Sequence, residues 1–181
     1  MNELKTACGG TILVTHRTQE HLLAHPDVVA LLPEVIARIA LPSSGLLEAE
    51  VNMCRVVGRS GRITTKTIRA NERAFFAKRI GRDFPSRVAP LGVLGSETST
   101  VTVIAFPDKV DPRTYVLMTS YIGTRAPQEP WDQQITNETV RAQCLDFWCR
   151  NALVYVPSLM GSIFASTWSN VLSHESERSD Q

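Results

Sequence analysis

The sequence predicts an α+β fold: N-terminal helices, then a mostly antiparallel sheet of about five strands, then a C-terminal helix or helices. Three observations predict it. A helical apolar period occupies the residues up to Ile39, five strand-like segments joined by turn residues fill 48–122, and a second amphipathic period starts near Asn137. The chain has 181 residues with 43% apolar content, enough for a sizeable core in one domain. The expected organisation is a flexible leader over 1–10, a single α+β domain over 11–173 and a disordered tail over 174–181.

Residues 1–10 end in Gly9-Gly10, and Thr11 to Thr15 reads as a short β-branched strand. Thr18 is the expected N-cap of a first helix carrying Leu22 and Leu23. Pro26, suited to a first helical turn, opens a second segment with Val28, Leu32, Val35, Ile36 and Ile39. Pro33 lies inside that segment and is expected to bend or divide it, because proline removes a donor and crowds the preceding turn. Pro42-Ser43-Ser44-Gly45 stops the helical region. The strand candidates that follow are Glu48–Val57, Arg62–Ile68, Arg73–Ile80, Ser99–Phe106 and Tyr115–Ile122, with Gly58 to Gly61 read as a hairpin between the first two. Beyond a proline-containing loop, Thr136 or Asn137 caps a helix with Val140, Cys144, Phe147 and Trp148 on one face. Asn151–Pro157 reads as a last strand. Ser158–Leu172 reads as a last helix or an irregular apolar segment, with Met160, Phe164 and Trp168 at i, i+4, i+8 favouring the helix.

The charge total, +1, says less than its distribution. Ten of the nineteen Lys and Arg residues lie between Arg55 and Arg87 against two acids, Glu72 and Asp83, so a basic middle is flanked by acidic ends. Lys and Arg on adjacent strands attract phosphate by releasing its counterions, and an aromatic among them can stack a single-stranded base. The residues expected to hold RNA or another polyanion are Arg55, Arg59, Arg62, Lys66, Arg73, Arg82 and Arg87, with Phe76 as the aromatic, since only one of Phe75 and Phe76 can face outward on a strand. A solvated outer sheet face paired with the acidic flanks explains the same charges without a ligand.

Proton transfer during phosphodiester cleavage wants a group that titrates near neutrality, and His16, after the first strand candidate, is the histidine chosen for it. Lys78 and Arg79 would stabilise developing charge, and Thr119 would supply a hydroxyl toward the phosphate. A strand-end histidine bonded to backbone and ordinary cross-strand threonine packing are the bland alternatives. His21 and His25 stand at i, i+4, but no third ligand accompanies them and no HExxH pattern is present, so no metal is expected. Walker A, GxGxxG and GxSxG patterns are absent, and no cofactor is expected. In Arg125-Ala-Pro-Gln-Glu-Pro-Trp-Asp132, Trp131 is expected to lock an extended loop onto the core.

Four cysteines without a CxxC pair fit reduced thiols in the cytoplasm, and the N-terminal apolar run is too short for an export signal. The stretch Asn151–Ser173 carries no formal charge, yet its Pro157, Gly161 and hydroxyl residues make it unsuited to span a membrane. It is expected to be buried or to form a homodimer interface.

Three strings, AKRIGRD at 77–83, YIGTRAPQEPWD at 121–132 and FWCRNALVY at 147–155, resemble strings found in the same order in an uncharacterised bacterial family. That resemblance implies one intact domain and no activity. The layout, with an early histidine, a helical start and basic strands, resembles the metal-independent ribonucleases that include barnase, EndoU, colicin nucleases and RelE toxins. It implies an RNA-directed protein, a metal-independent ribonuclease of toxin type, with His16, Lys78, Arg79 and Thr119 as positions to test. The alternative is a binding module for protein or nucleic acid without chemistry.

Overall fold

The structure is a computed structural model that describes residues 2–22, 26–80 and 85–176, with the side chains of His21, Pro26, Arg79 and 174–176 left undescribed. Its first elements are strands β1 (Asn2–Lys5) and β2 (Thr11–Val14), helices α1 (His16–Leu22) and α2 (Pro26–Ile36), and strand β3 (Leu47–Asn52). Short strands β4 (Gly58–Arg59) and β5 (Arg62–Thr64) precede β6 (Ala74–Arg79) and β7 (Pro85–Arg87). Then come β8 (Glu97–Thr98), β9 (Thr100–Pro107), β10 (Thr114–Ile122), α3 (Glu138–Arg150), β11 (Asn151–Leu153), β12 (Met160–Ser166) and α4 (Trp168–Ser176). The class is α+β.

Where the sequence predicts one domain, the chain divides into two compact units. The first is Met1–Ser60 with Glu97–Arg125; the second is Gly61–Ser96 with Ala126–Gln181. The first unit holds a five-stranded sheet in the order β1-β2-β10-β9-β3, antiparallel except for the β10/β2 pair. β1 falls inside the expected leader: Asn2 to Lys5 pair with Val14 to Thr11. Alternation along β9 and β10 sends Val101, Val103, Ala105, Tyr115 and Leu117 inward, where they meet Val28, Leu32, Val35 and Ile36 of α2. At about 2 kcal/mol for each large apolar side chain removed from water, this cluster dominates the unit's stability. Pro33 does not divide α2, which continues to Ile36. Thr18 is not the cap of α1: Thr15 Oγ1 accepts the Thr18 amide at 3.2 Å, and the buried Thr18 hydroxyl donates to the Leu117 carbonyl at 2.8 Å. A bulge between Leu117 and Thr119 turns Met118 out to solvent.

The Gly58–Gly61 turn does not join two paired strands. β4 pairs with β8 in the first unit, β5 pairs with β11 in the second, and the chain passes from one unit to the other between Ser60 and Gly61. Gly123 marks another such region: at φ +115 it adopts backbone that side-chain-bearing residues avoid, and a Cβ there would meet Ser60 Oγ at 2.8 Å.

The second unit carries a three-stranded antiparallel sheet in the order β12-β6-β7. Its core gathers Phe76, Trp131, Trp148, Cys149, Trp168 and Val171. Asn137 caps α3 by accepting the Thr139 and Val140 amides, as the sequence predicts. Cys144, Trp148 and Cys149 form the buried face, while Val140 stays exposed. Trp131 locks its loop: it is buried and donates to the Pro85 carbonyl at 2.8 Å, and Trp148 holds the same loop through the Pro127 and Gln128 carbonyls. The expected helix over 158–172 is instead β12 followed by α4. A spacing of four also repeats on one face of a strand, and pairing of Ile163 to Ser166 with Ala77 to Ala74 selects that alternative. Of the expected tail, residues up to Ser176 belong to α4, and 177–181 lie outside the described residues.

All four cysteines are free, Cys8 and Cys54 exposed, Cys144 and Cys149 buried. Among the described residues, no helix is long and apolar enough to cross a membrane.

Candidate functional site

The central basic segment splits at Ser60, and its two parts meet different surroundings. In the first unit, Arg55 donates to both carboxylate oxygens of Glu34, 2.6 Å and 2.5 Å away, and Arg59 Nη2 lies 3.0 Å from Glu97 Oε1. Hydrogen bonding from Arg55 holds the Glu34 carboxyl below its usual range. Both arginines are therefore matched to carboxylates, against the expectation that they hold a polyanion.

In the second unit, β6 presents alternate residues to opposite faces of its sheet. Phe76 is fully buried, stacking on Phe164 at 6.1 Å and meeting Trp168 edge-on at 5.0 Å, so it is a core residue and not a nucleic-acid contact. The outward aromatic is Phe75, 45% exposed. Arg87, paired across the sheet with Phe76, is buried too. Its Nη1 donates to the carbonyls of Trp148, Cys149 and Asn151 at 2.9, 2.7 and 3.3 Å, and its Nη2 to the Lys66 carbonyl at 3.4 Å. The first three carbonyls lie at the C-terminal end of α3, where a helix favours cations. Burial pushes the Arg87 guanidinium below its ordinary value and the Cys149 thiol above its own. Arg87 is thus first a structural clamp, joining β7 to the end of α3. Arg62 is half-buried: Nη1 donates to Asn151 Oδ1 at 3.1 Å and its guanidinium carbon sits 4.9 Å from the Phe147 ring centroid.

Around Phe75 lies an open groove of about 310 Å³ whose walls include Lys66, Arg73, Phe75, Arg87, Val88 and Pro90. Lys66 and Arg73 are exposed, as are Arg69 and Lys78 elsewhere in the segment. Among the described residues, none of these four forms an ion pair. The carboxylates of this unit are engaged locally: Glu72 accepts the Arg69 amide, Glu129 the Ser86 hydroxyl, and Asp146 pairs with Arg150. Two cations without a carboxylate partner among the described residues, beside an exposed ring, can hold an anion and a flat apolar group together.

The proposed catalytic positions are divided between the units. His16 starts α1, is well exposed and lies 3.6 Å from Glu20; Thr119 sits on β10 at the bulge. Lys78 is exposed on β6, and Arg79 is on β6 with its side chain outside the described residues. Arg82 and His25 also lie outside them. Among the described residues, no group of three His, Cys, Asp or Glu side chains is placed to hold a metal ion. Sequence reasoning missed Phe75 and the groove wall at Val88 to Pro90. The strand alternation was readable, but which of Phe75 and Phe76 faces inward depends on α4 and its Trp168. No protein-family model, curated protein or solved structure matches the chain.

Proposed function

We propose that the second unit binds single-stranded nucleic acid, with RNA as the intended ligand, in the groove beside Phe75. The observation that carries this reading is the juxtaposition of one exposed aromatic ring with Lys66 and Arg73, two cations without a carboxylate partner among the described residues. Stacking on an aromatic side chain contributes about 1–3 kcal/mol per base and requires an unpaired base, while lysine and arginine engage the phosphates on either side. A groove of about 310 Å³ is at the small end of sites that hold a nucleotide-sized group. The bland alternative, a solvated basic face neutralised by flanking acids, fits Arg55 and Arg59, whereas Lys66 and Arg73 have no carboxylate partner among the described residues.

The test is fluorescence anisotropy of a labelled single-stranded RNA with the intact chain over a range of salt. Binding that weakens with salt, falls about tenfold in Phe75→Ala and is retained in Phe75→Trp is the expected result. Binding indifferent to salt and to Phe75→Ala, or preference for duplex competitor, overturns it. Cleavage additionally needs a proton-transfer group at the bound phosphodiester. Incubating the same RNA in EDTA with wild type tests this, and metal-independent cleavage would add chemistry to binding.

A further inference from the structure

The sheet of the second unit ends in β12, sequence MGSIFAS, which has β6 on one side and no strand neighbour on the other among the described residues. An unpaired edge offers a row of backbone donors and acceptors to any extended chain, and folded proteins guard such rows with charge, proline or brevity. The remaining edges of the two larger sheets are guarded. β1 carries Glu3 and Lys5, β3 carries Glu48 and Glu50 with Arg38 donating to the Asn52 carbonyl at its end, and β7 has three residues beginning at Pro85. β12 has seven residues, no proline and no charge, and the uncharged stretch extends beyond it on both sides from Asn151 to Ser173. Ser162, Phe164 and Ala165 are exposed. The Gly161 carbonyl accepts the Tyr155 hydroxyl at 3.2 Å, so the free stretch starts at Ser162.

We infer that β12 pairs antiparallel with β12 of a second copy of this chain, so that two three-stranded sheets continue as one sheet of six strands in a two-fold dimer. A second copy is the occupant that the composition favours. Antiparallel pairing about a two-fold axis sets the residue on the axis against its own copy and brings each side chain near the axis close to its equivalent, so a charged edge would oppose like charges and a neutral one opposes none. Ser162 and Ala165 are small enough for a close neighbour, and Ile163 and Phe164 supply apolar cross-strand contact. An uncharged edge gives a polyanion nothing to hold, so the pairing does not require the groove, although Ala165 stands opposite Phe75 in the sheet. Because the two-fold axis of an antiparallel pair stands perpendicular to the sheet, both copies of Phe75 would face the same side.

Sedimentation equilibrium of the intact chain over a broad concentration series tests the inference. Wild type is expected to show dimer mass, and Ser162→Lys and Ala165→Lys, at exposed positions where folding is checked by circular dichroism, are expected to show monomer mass. A second measurement removes the exposed native thiols (Cys8→Ser, Cys54→Ser) and installs one cysteine at a time over 162–166. Oxidation should cross-link the position nearest the two-fold axis. Wild type that remains monomeric at the highest concentration overturns the inference, as does a dimer that survives both lysine variants and cross-links at none of these positions.

Discussion

Along the basic middle of the sequence the two units treat cations in opposite ways, although outside it the second unit pairs Arg141 with Glu138 and Arg150 with Asp146. In the first, Arg55 meets Glu34, Arg59 meets Glu97 and Arg125 meets Glu48. In the second, Lys66, Arg69, Arg73 and Lys78 make no ion pair among the described residues, and the most buried cation, Arg87, is satisfied by carbonyl oxygens instead of a carboxylate. A run of basic residues therefore does not define a binding surface by itself. What decides is whether neighbouring elements supply carboxylates, and those facing Arg55 and Arg59 come from α2 and β8 while the groove around Phe75 is walled by apolar and cationic groups.

The adjacent pair Phe75 and Phe76 gives the largest contrast. Phe76→Ala empties a site shared with Trp168 and Phe164 and should cost about 3–5 kcal/mol in denaturant unfolding of the intact chain. Phe75→Ala should change stability by less than about 0.5 kcal/mol, and equal losses at the two positions would break the distinction between core and groove. Next in size is Arg87→Met, which takes the guanidinium from the Trp148 carbonyl and leaves the Cys149 carbonyl with the Ile68 amide, and should lower stability by about 3 kcal/mol. If it is neutral, the clamp is not structural. Smaller effects sharpen the charge comparison. Lys66→Ala and Arg73→Ala should each flatten the dependence of log affinity on log salt by about 0.7, the single-strand value per phosphate contact, whereas Arg55→Ala and Arg59→Ala should leave it unchanged. The smallest effect concerns acid. Glu34 has a depressed folded value, so the Glu34–Arg55 pair stabilises above the ordinary glutamate value of 4.5 and loses that contribution as pH falls through the lower folded value. Glu34→Gln should flatten the acid limb of a pH-stability curve slightly, and an unchanged limb would remove the pair from the account.

Much of the fold was legible because periodicity reports burial. The α3 helix, its Asn137 cap and strands β6, β9 and β10 follow from local pattern alone. What escaped depends on partners distant in sequence. Nothing near Gly58–Gly61 announces that β4 pairs with β8 and β5 with β11, and the Met160, Phe164, Trp168 spacing fits helix and strand alike until β6 claims residues 163–166. The site was legible to the level of its segment: Lys66 and Arg73 line the groove, while Phe76 and Arg87 turn inward because Trp168 and the end of α3 receive them.

The chain leaves the first unit after Ser60 and returns at Glu97, then leaves again after Arg125, so each unit is assembled from two separated stretches. During synthesis the first unit lacks β9 and β10, two of the three interior strands of its sheet, until the whole of Gly61–Ser96 has emerged, and those waiting residues cannot complete their own core before α3 and α4 appear. Closing each unit therefore carries the entropy of an excluded loop, and the first unit can close only once Arg125 has emerged, ahead of the second, which waits for α3 and α4. Any single cut that keeps one unit's residues together, leaving 1–125 or 61–181, also carries the stretch that belongs to the other unit, and a ribosome stalled near Ser96 would leave β2 and β3 without β10 and β9.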